Sequence, residues 1–395
     1  MLRRDTYLPF GRPDFSDEEM SAVTRIMRTG WVGMGSETLA FERELAEACG
    51  APAVVTVNSC TSALFLSLVA HGIGPGDEVV VPSLTWISTA NVVRHVGATV
   101  VFCDVDPGTL SVSPATVRAV LGPRTRAVVV VHLGGLAVDV AAIRRVVPAH
   151  IPIVEDAAHA FGARFADGRP VGASGNLTCF SFYANKNLST GEGGAVALAD
   201  EAVADRLRSL RQHGLPQDAW KRFVDPRRLE TPRVRELGFK MNYTDLQAAI
   251  GRVQLRRQPA FARRRLDVAR AYREALAESP WPLTWQDGLL DEGHARHLCL
   301  VQLPIERLAW TRHEVLGALR ERNIGASLHY QPVHTMPLYA GATPFLPVTD
   351  RLSARILTLP ISASMTTDDA RLAASALVEV LDEAREPRVS LGAAG

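Results

Sequence analysis

Lysine is scarce in this chain of 395 residues, and one lysine stands where chemistry is plausible. Lys186, Lys221 and Lys240 are the only lysines among 43 lysine and arginine residues. A chain that uses arginine so consistently keeps lysine mainly where a primary amine is needed, and Schiff-base chemistry is one such need. Lys186 follows an apolar run at 177–182 and precedes a glycine-rich stretch at 191–194. It is therefore the first candidate for a covalent catalyst, and a solvated loop lysine is the alternative.

A carboxylate follows a second apolar run. Asp156 comes directly after the run at 151–155 and precedes Ala158 and His159. A carboxylate at the tip of a buried strand can bind the protonated nitrogen of a pyridine ring and keep that ring cationic, so that the ring accepts electrons. Ala158 is small enough to lie against a flat ring, and His159 can approach a ring hydroxyl. Asp156 as the cap of a following helix is the alternative reading.

Two further segments suit the other parts of a flat, phosphorylated cofactor. Thr61 and Ser62 follow a strand-like run and begin an apolar helix, where backbone N–H groups and hydroxyls favour a phosphate monoester. Trp86 comes just after another run, where an indole can stack on a ring. Ordinary helix capping by Thr61 and Ser62, and a core position for Trp86, explain the same residues.

The elements that must position these residues are strands covered on both faces. Seven short runs rich in β-branched residues are continuous rather than alternating, which is typical of buried parallel strands. They lie at 54–57, 78–81, 99–103, 127–132, 152–155, 177–182 and 195–198. Helical spacing or helix caps separate the first five, which predicts a parallel, doubly wound α/β sheet. Irregular connections at 161–173 and 183–194 predict that the last strands reverse direction at least once.

After residue 200 the pattern changes to long amphipathic helices. The clearest covers 245–279, where Leu246, Ile250 and Val253 fall on one face. From about residue 280, strand-like runs at 297–303 and 326–330 mix with helices at 311–322 and 366–385, which indicates a smaller α+β domain. We expect a large cofactor-binding domain over 13–255 and a small domain over 256–395, with an N-terminal arm, 1–12, packed on the small domain.

Composition argues against several other classes of protein. The formal net charge is +1, so nothing favours binding to nucleic acid or to an anionic membrane. No stretch approaches 18 apolar residues, and no apolar signal segment is visible near the start. Five cysteines without a CxxC pair predict neither disulfides nor a metal site and favour the reducing cytoplasm. The tail at 386–395 has the composition of a disordered segment.

Together these segments resemble the pyridoxal 5'-phosphate (PLP) dependent enzymes of fold-type I, and within them the nucleotide-sugar aminotransferases of the DegT/DnrJ/StrS family. The resemblance covers about 8–380. The segments that carry it are GWV at 30–32, PSLTW at 82–86, EDAAHA at 155–160, FSF at 180–182, NKN at 185–187, EGG at 192–194 and LGFKMN at 237–242. It implies a three-layer αβα fold around a mostly parallel seven-stranded sheet, with a smaller C-terminal α+β domain.

The resemblance also implies roles for the cofactor contacts. Lys186 resembles the lysine that binds PLP covalently, and Asp156 resembles the partner of its ring nitrogen. These two are the implied catalytic residues. The other implied cofactor contacts are the stacking Trp86, Ala158, the ring-hydroxyl neighbour His159, and the phosphate contacts Thr61, Ser62 and Ser181.

A second subunit enters the implied site. Many family members complete a partner's phosphate site with a Gly-x-Asn-x-Arg segment, and this chain has GFKMN at 238–242 instead. The resemblance therefore implies a homodimer with shared active sites, in which either Lys240 or Asn242 reaches across. The implied substrate-side residues are Trp31, Tyr183 and His329.

The implied activity is a ping-pong transamination from an amino acid, with L-glutamate expected, to a nucleotide-linked keto sugar, with a 4-keto sugar favoured. The FKMN segment at 239–242 and the SLHY segment at 327–330 are most similar to the branch that forms UDP-4-amino-4-deoxy-L-arabinose. A keto cyclitol or a 3-keto sugar is the alternative acceptor, and a non-catalytic PLP-binding regulator is a remoter alternative. Family members that dehydrate sugars typically carry histidine in place of Lys186. A nicotinamide-dependent oxidoreductase would need a GxGxxG turn, which 58–62 lacks.

Overall fold

The computed structural model describes residues 4–215, 234, 236–341 and 344–385, and its larger sheet runs through the first half of the chain. In the described residues this sheet has seven strands in the order β1-β7-β6-β5-β4-β2-β3. The strands are β1 Ala53–Val57, β2 Glu78–Pro82, β3 Thr99–Cys103, β4 Thr125–Val131, β5 Ile153–Asp156, β6 Leu177–Ser181 and β7 Gly194–Leu198. Neighbours from β2 to β6 are parallel, and β7 is antiparallel to both β6 and β1. The predicted mostly parallel sheet with a late reversal is confirmed.

Helices cover both faces of this sheet. On one face Val79, Val81 and Val129 pack with residues of α3, α4 and α7, and on the other Val80 and Val128 pack with residues of α5 and α6. The helices are α1 Asp17–Thr29, α2 Ser36–Cys49, α3 Cys60–Ala70, α4 Ser88–His95, α5 Pro114–Arg118, α6 Val140–Arg144, α7 Glu201–Leu210, α8 Asp245–Ala275, α9 Arg312–Glu321, α10 Pro347–Ser353 and α11 Thr367–Glu383. Successive strand residues thus face opposite helical layers, which explains why the apolar runs are continuous rather than alternating.

A smaller antiparallel sheet lies in the second half of the chain. Its order is β10-β9-β8, with β8 Thr284–Trp285, β9 Cys299–Gln302 and β10 Ile356–Leu359. Short 3-10 turns occur at Leu133–Gly135, Ile305–Arg307, Val333–Thr335 and Pro337–Tyr339. Leu8 shares a core with Val301 and Leu357 of this sheet and pairs with Ile324. The domain boundary expected at 255/256 stays a prediction, because α8 runs through that point and contacts α1, α2 and α11.

The strand predicted at 326–330 is wrong. Ser327 exchanges two backbone hydrogen bonds with Thr358 of β10, but this is an isolated bridge. The chain does not continue as a strand beyond this bridge, and His329 contacts the Thr358 hydroxyl while Tyr330 contacts His159. These side-chain contacts outweigh the β-propensity of the run.

The observed helix ends differ little from the predicted ones. Helix α8 begins at Asp245, where Thr244 accepts a hydrogen bond from Gln247 N, and ends at Ala275 instead of residue 279.

No helix of the described residues is long and apolar enough to cross a bilayer. The tail at 386–395, predicted to be disordered, lies outside the described residues.

Candidate active site

A cavity of about 370 Å³ opens at the carboxyl ends of the central strands. Val131, Asp156 and Ser181, the last residues of β4, β5 and β6, all line it. In open α/β sheets this edge is where ligands bind. Most of the site residues expected from the sequence line the cavity together: Thr61, Trp86, Asp156, Ala158, His159, Ser181, Tyr183, Lys186 and His329.

Asp156 is a buried carboxylate whose negative charge is only partly stabilised by hydrogen bonds. It is 5% exposed, and its two oxygens accept hydrogen bonds from Thr89 Oγ1 at 2.7 Å and from Ala158 N at 3.2 Å. Thr85 Oγ1 lies 2.9 Å from Thr89 Oγ1, so it donates to Thr89, whose own hydrogen is used on Asp156. Burial raises the pKa of Asp156, and the bonds from Thr89 and Ala158 oppose this only in part. A cation beside Asp156 would complete its compensation.

Lys186 lies in the loop between β6 and β7 and faces the same cavity. Its Nζ is 3.4 Å from His297 Nε2. Burial lowers the pKa of Lys186 to about 8, although Cys60 and Asp156 oppose the shift. A lysine with such a pKa has a sizeable neutral fraction near neutral pH, and the neutral amine is a nucleophile and a base.

Three histidines and a tyrosine also line the cavity. His159 Nδ1 accepts from Gly134 N at 3.3 Å, so its Nε2–H donates to Tyr330 Oη at 2.9 Å. His159 and His297 have ring centroids 4.5 Å apart. Burial lowers the pKa of His329 to about 3 and those of His159 and His297 well below the usual histidine value. These rings are therefore neutral hydrogen-bonding groups at neutral pH.

The start of α3 forms the end of the cavity next to β1. Ser59 caps the helix by accepting from Ser62 N, and the backbone N–H groups of Cys60 and Thr61 belong to the first turn, which leaves them free to bind an anion. Gly194 packs directly on this turn, since a Cβ there would lie 2.5 Å from the Ser59 carbonyl carbon. Cys60 also lines the cavity, and burial raises the pKa of its thiol well above the usual value.

Four residues expected at the site do not line the cavity of their own chain. Ser62 Oγ donates to Asn58 Oδ1 at 2.6 Å, on the far side of the capped turn. Trp31 Nε1 donates to Met34 O at 3.0 Å, in the segment between α1 and α2. Lys240 is exposed and pairs with Gln212, and Asn242 Nδ2 donates to Tyr243 O. Their roles stay predictions.

Sequence reasoning missed several residues that contact the predicted ones. Thr89 binds Asp156, Tyr330 binds His159, and His297 binds Lys186. Each comes from a segment distant in sequence from its partner, so no local spacing could reveal the pair. A signal was present only for Tyr330, which directly follows His329 in the SLHY segment.

The cavity fits PLP. The buried, under-compensated carboxylate of Asp156 suits the protonated ring nitrogen, and the first turn of α3 suits the phosphate. Lys186 lies within the same cavity and supplies the amine. Trp86 is 58% exposed although it lines the cavity, so its indole is available to a flat ring.

Comparison with known proteins decides the family. The sequence profile of the DegT/DnrJ/EryC1/StrS aminotransferase family matches residues 13–378. The chain belongs to this family. The family's enzymes use PLP, so the chain is a PLP-dependent aminotransferase with PLP as its cofactor. The fold-type I architecture expected from the sequence is confirmed by its similarity to solved aminotransferases.

Three similar proteins show which kinds of protein are related to this chain. The spore coat polysaccharide biosynthesis protein SpsC of Bacillus subtilis is 42% identical over 378 residues, which are 93% of this chain and 95% of SpsC. The aminotransferase TlmJ of Streptoalloteichus hindustanus is 34% identical with a TM-score of 0.86, covering 95% of this chain and 99% of TlmJ. Spr1654 of Streptococcus pneumoniae, a proposed sugar aminotransferase solved in its PMP form, is 27% identical with a TM-score of 0.87, covering 96% of this chain and 98% of Spr1654.

Proposed function

We propose that this aminotransferase moves an amino group from an amino acid to a nucleotide-linked keto sugar. L-glutamate is the expected donor, and a 4-keto sugar is the preferred acceptor. The observation that carries the proposal is one cavity that holds the Lys186 amine, the Asp156 carboxylate and the α3 anion site together. SpsC acts in polysaccharide biosynthesis and Spr1654 is a proposed sugar aminotransferase. These relatives support a sugar acceptor.

The residues that would hold the cofactor lie around one cavity. Asp156 would bind the ring nitrogen, and the first turn of α3 would bind the phosphate together with the hydroxyls of Thr61 and Ser181. Trp86 and Ala158 would contact the ring faces. His159, whose Nε2 contacts Tyr330 Oη, would lie beside the ring hydroxyl.

Lys186 has two tasks in the proposed reaction. Bound PLP supplies an electrophilic aldehyde and a cationic ring that accepts electron density. Lys186 would hold the cofactor covalently through its Nζ, with the aldehyde oxygen leaving as water, and once freed as the neutral amine it would move the proton between the donor carbon and the cofactor carbon. Burial favours the neutral amine that this second task requires, because it lowers the pKa of Lys186 to about 8.

Donor and acceptor use the cavity in turn, which gives ping-pong kinetics. Spr1654 has been solved in both PLP and PMP forms, and these are the two resting states such a cycle requires. Tyr183, which is 47% exposed at the cavity, and His329 are the proposed sugar contacts on this chain. Trp31 and a partner's Lys240 or Asn242 would complete the site in a homodimer.

A keto-sugar panel tests the proposal. The enzyme is converted to its amine-loaded form with L-glutamate, and nucleotide-linked 4-keto and 3-keto sugars and a keto cyclitol are added separately. We expect the visible absorbance of the lysine-bound cofactor to return fastest with a 4-keto sugar. Return only with the cyclitol, or with none of the sugars, would contradict the proposed acceptor.

The role of Lys186 has its own test. Borohydride reduction followed by peptide mass spectrometry should locate the trapped cofactor on the peptide that contains Lys186. Lys186→Arg keeps the positive charge and loses the primary amine, so trapping should be abolished and turnover should fall by several orders of magnitude. Comparable turnover by this variant would show that another amine does the chemistry.

A further inference from the structure

We propose that His297 is a positioning residue for Lys186, accepting a hydrogen bond from the lysine amine and so aiming its lone pair into the cavity. His297 Nε2 lies 3.4 Å from Lys186 Nζ. Among the described residues, His297 is the one hydrogen-bond partner found for Nζ. The inference rests on the proposed covalent role of Lys186.

The tautomer of His297 follows from its neighbour Asn187. Asn187 Nδ2 donates to Ala295 O at 2.7 Å, which turns its Oδ1 toward His297 Nδ1 at 3.2 Å. An amide oxygen only accepts, so Nδ1 must carry the proton. Nε2 then presents a lone pair to Lys186, and the contact has one direction: the lysine donates and the histidine accepts.

His297 does not take the proton away. It is 3% exposed, and burial, followed by the charge of Lys186, lowers its pKa well below the usual value for histidine. Lys186 has a pKa of about 8, so a shared proton stays on the lysine. His297 therefore acts as an acceptor that orients the amine and leaves it basic.

The segment that carries His297 is held firmly. Ala295 N donates to Gly135 O, and Leu298 N donates to Gly134 O. Arg265 of α8 donates to Arg296 O at 3.1 Å. Because hydrogen bonds fix the backbone on both sides of His297, its ring has a defined place. A free lysine amine rotates about its terminal bond, and a fixed acceptor limits that rotation to orientations that direct the lone pair away from the acceptor.

The scarcity of lysine makes the proposal measurable on the holoenzyme. Lysine labelled with ¹³C at Cε and ¹⁵N at Nζ gives signals from three residues, Lys186, Lys221 and Lys240. The Lys186 signal is the one absent from Lys186→Arg. In the PMP form this amine is free, so its pKa can be read from a pH titration of the signal.

Two substitutions distinguish the effect of the hydrogen-bond acceptor of His297 from the effect of the size of its ring. His297→Phe keeps an aromatic ring but removes the acceptor, so the ammonium loses its partner and the pKa of Lys186 should fall by about one unit. The kcat should fall roughly tenfold with little change in KM. His297→Gln keeps an oxygen near the position of Nε2, so it should return the pKa of Lys186 to within about 0.3 units of the wild type. If the phenylalanine variant does not fold, His297→Asn replaces it, because its shorter side chain does not reach Nζ.

A second histidine of the same segment serves as the matched control. His294 lies on the same segment and contacts Gln286 and Arg296 N rather than the lysine, so His294→Gln should leave the pKa of Lys186 unchanged. Equal pKa values in the phenylalanine (or asparagine) and glutamine variants, or an equal shift in the control, would overturn the positioning role. Failure of the proposed function looks different: the Lys186 signal would then be the same in the PLP and PMP forms of the wild type.

Discussion

At the scale of single residues, burial moves the two central ionisable groups in opposite directions. It raises the pKa of Asp156 and lowers that of Lys186 to about 8. Both shifts favour the neutral form, because a charge loses hydration in the interior. A cationic ring nitrogen bound to Asp156, as proposed, would reverse the shift there, so cofactor affinity would depend on how well the protein itself stabilises the carboxylate.

Thr89 is the first test of this dependence. Thr89→Val keeps the shape of the side chain and removes the hydrogen bond to Asp156 Oδ2. Hydrogen bonds to charged groups contribute about 1.5–3 kcal/mol, so PLP affinity should fall roughly tenfold to a hundredfold. The dissociation constant comes from absorbance titration of the apoenzyme. Thr85→Val removes only the bond to Thr89 and should cost less, and equal affinities in all three proteins would contradict the prediction.

The pH dependence of proton transfer tests Lys186. The neutral amine is the active base, and its pKa is about 8, so the fraction in the active form rises with pH, reaches one half at about pH 8 and continues to rise above it before levelling off. The rate of the half-reaction between the amine-loaded enzyme and 2-oxoglutarate should follow this curve in stopped-flow absorbance. A rate that is constant from pH 6 to 9, or that falls across this range, would disagree with it.

The sequence could predict some of these residues and not others. Lys186 was identifiable because lysine is rare, and Asp156 because it ends a buried apolar run. Thr89 and His297 were not, because they are ordinary residues in their own segments. Only the fold brings them to Asp156 and Lys186.

At the scale of elements, α8 connects the two halves of the chain by contacting α1, α2 and α11. Its packing is close at Gly251, where a Cβ would lie 2.5 Å from Phe41 Cζ. Phe41 is fully buried and packs against both Phe182 and Tyr243, with ring centroids 5.7 and 6.0 Å away. The ring therefore has little freedom to move aside.

Gly251→Ala tests whether packing outweighs helix propensity. Alanine gains up to about 1 kcal/mol over glycine in a helix interior, but overpacking a tight core costs about 1–3 kcal/mol. The net effect at Gly251 should be destabilising in urea unfolding. At Gly317 of α9 a Cβ would have no neighbouring atom within 4 Å, so Gly317→Ala should be stabilising by up to about 1 kcal/mol. The same sign at both positions would show that packing is not the cause.

Glu19 fixes the start of α1 against α8. Burial raises its pKa, but hydrogen bonds from Ser16, Gln254 and Arg257 together outweigh burial and lower the pKa to about 2 from 4.5. Because the folded value is the lower one, its contribution to stability is present above pH 4.5 and is lost as the pH falls towards 2.

Glu19→Gln should therefore destabilise the protein by about 1–3 kcal/mol at pH 7. The difference from the wild type should shrink as the pH falls below 4.5, as measured by urea unfolding at several pH values. The neighbour Glu18 lies 3.6 Å from Arg256 on the surface, so Glu18→Gln should change stability by less than about 1 kcal/mol. A Glu19→Gln effect independent of pH would indicate lost packing rather than lost charge.

Element boundaries were largely predictable where one physical cause dominates. The seven apolar runs mark the strands of the large sheet to within two residues at each end, because most of the residues in these strands are buried. The run at 326–330 failed because side-chain contacts with Thr358 and His159 decide its path. Such contacts depend on the finished fold.

At the scale of the whole molecule, the proposed homodimer follows from where Lys240 and Asn242 lie. Neither lines the cavity of its own chain, and the family resemblance assigns this segment to the partner's phosphate site. Lys186 and one of these residues would then come from different subunits to form one site. A two-fold dimer would contain two such sites.

Mixing inactive variants tests this arrangement. Lys186→Arg should be inactive alone, and so should Asn242→Ala if Asn242 is the residue that crosses, but a hybrid dimer contains one site with both wild-type residues. After refolding an equal mixture, half of the dimers are hybrids, so activity should return to about a quarter of the wild type. The same experiment with Lys240→Ala identifies which residue crosses. No recovery with either partner would show that each site is built from one chain.

The antiparallel strand β7 fixes the spacing of the two segments that, in the proposed function, hold the two ends of the cofactor. Gly194 pairs with Val57 at the end of β1 and with Ser181 at the end of β6, so one short strand joins the segment before α3 to the loop that carries Lys186. The two attachment points, far apart along the chain, are thus held at one spacing by hydrogen-bonded ladders. A PLP analogue lengthened by one methylene between ring and phosphate would retain every reactive group and still bind poorly, because the sheet cannot stretch to admit it.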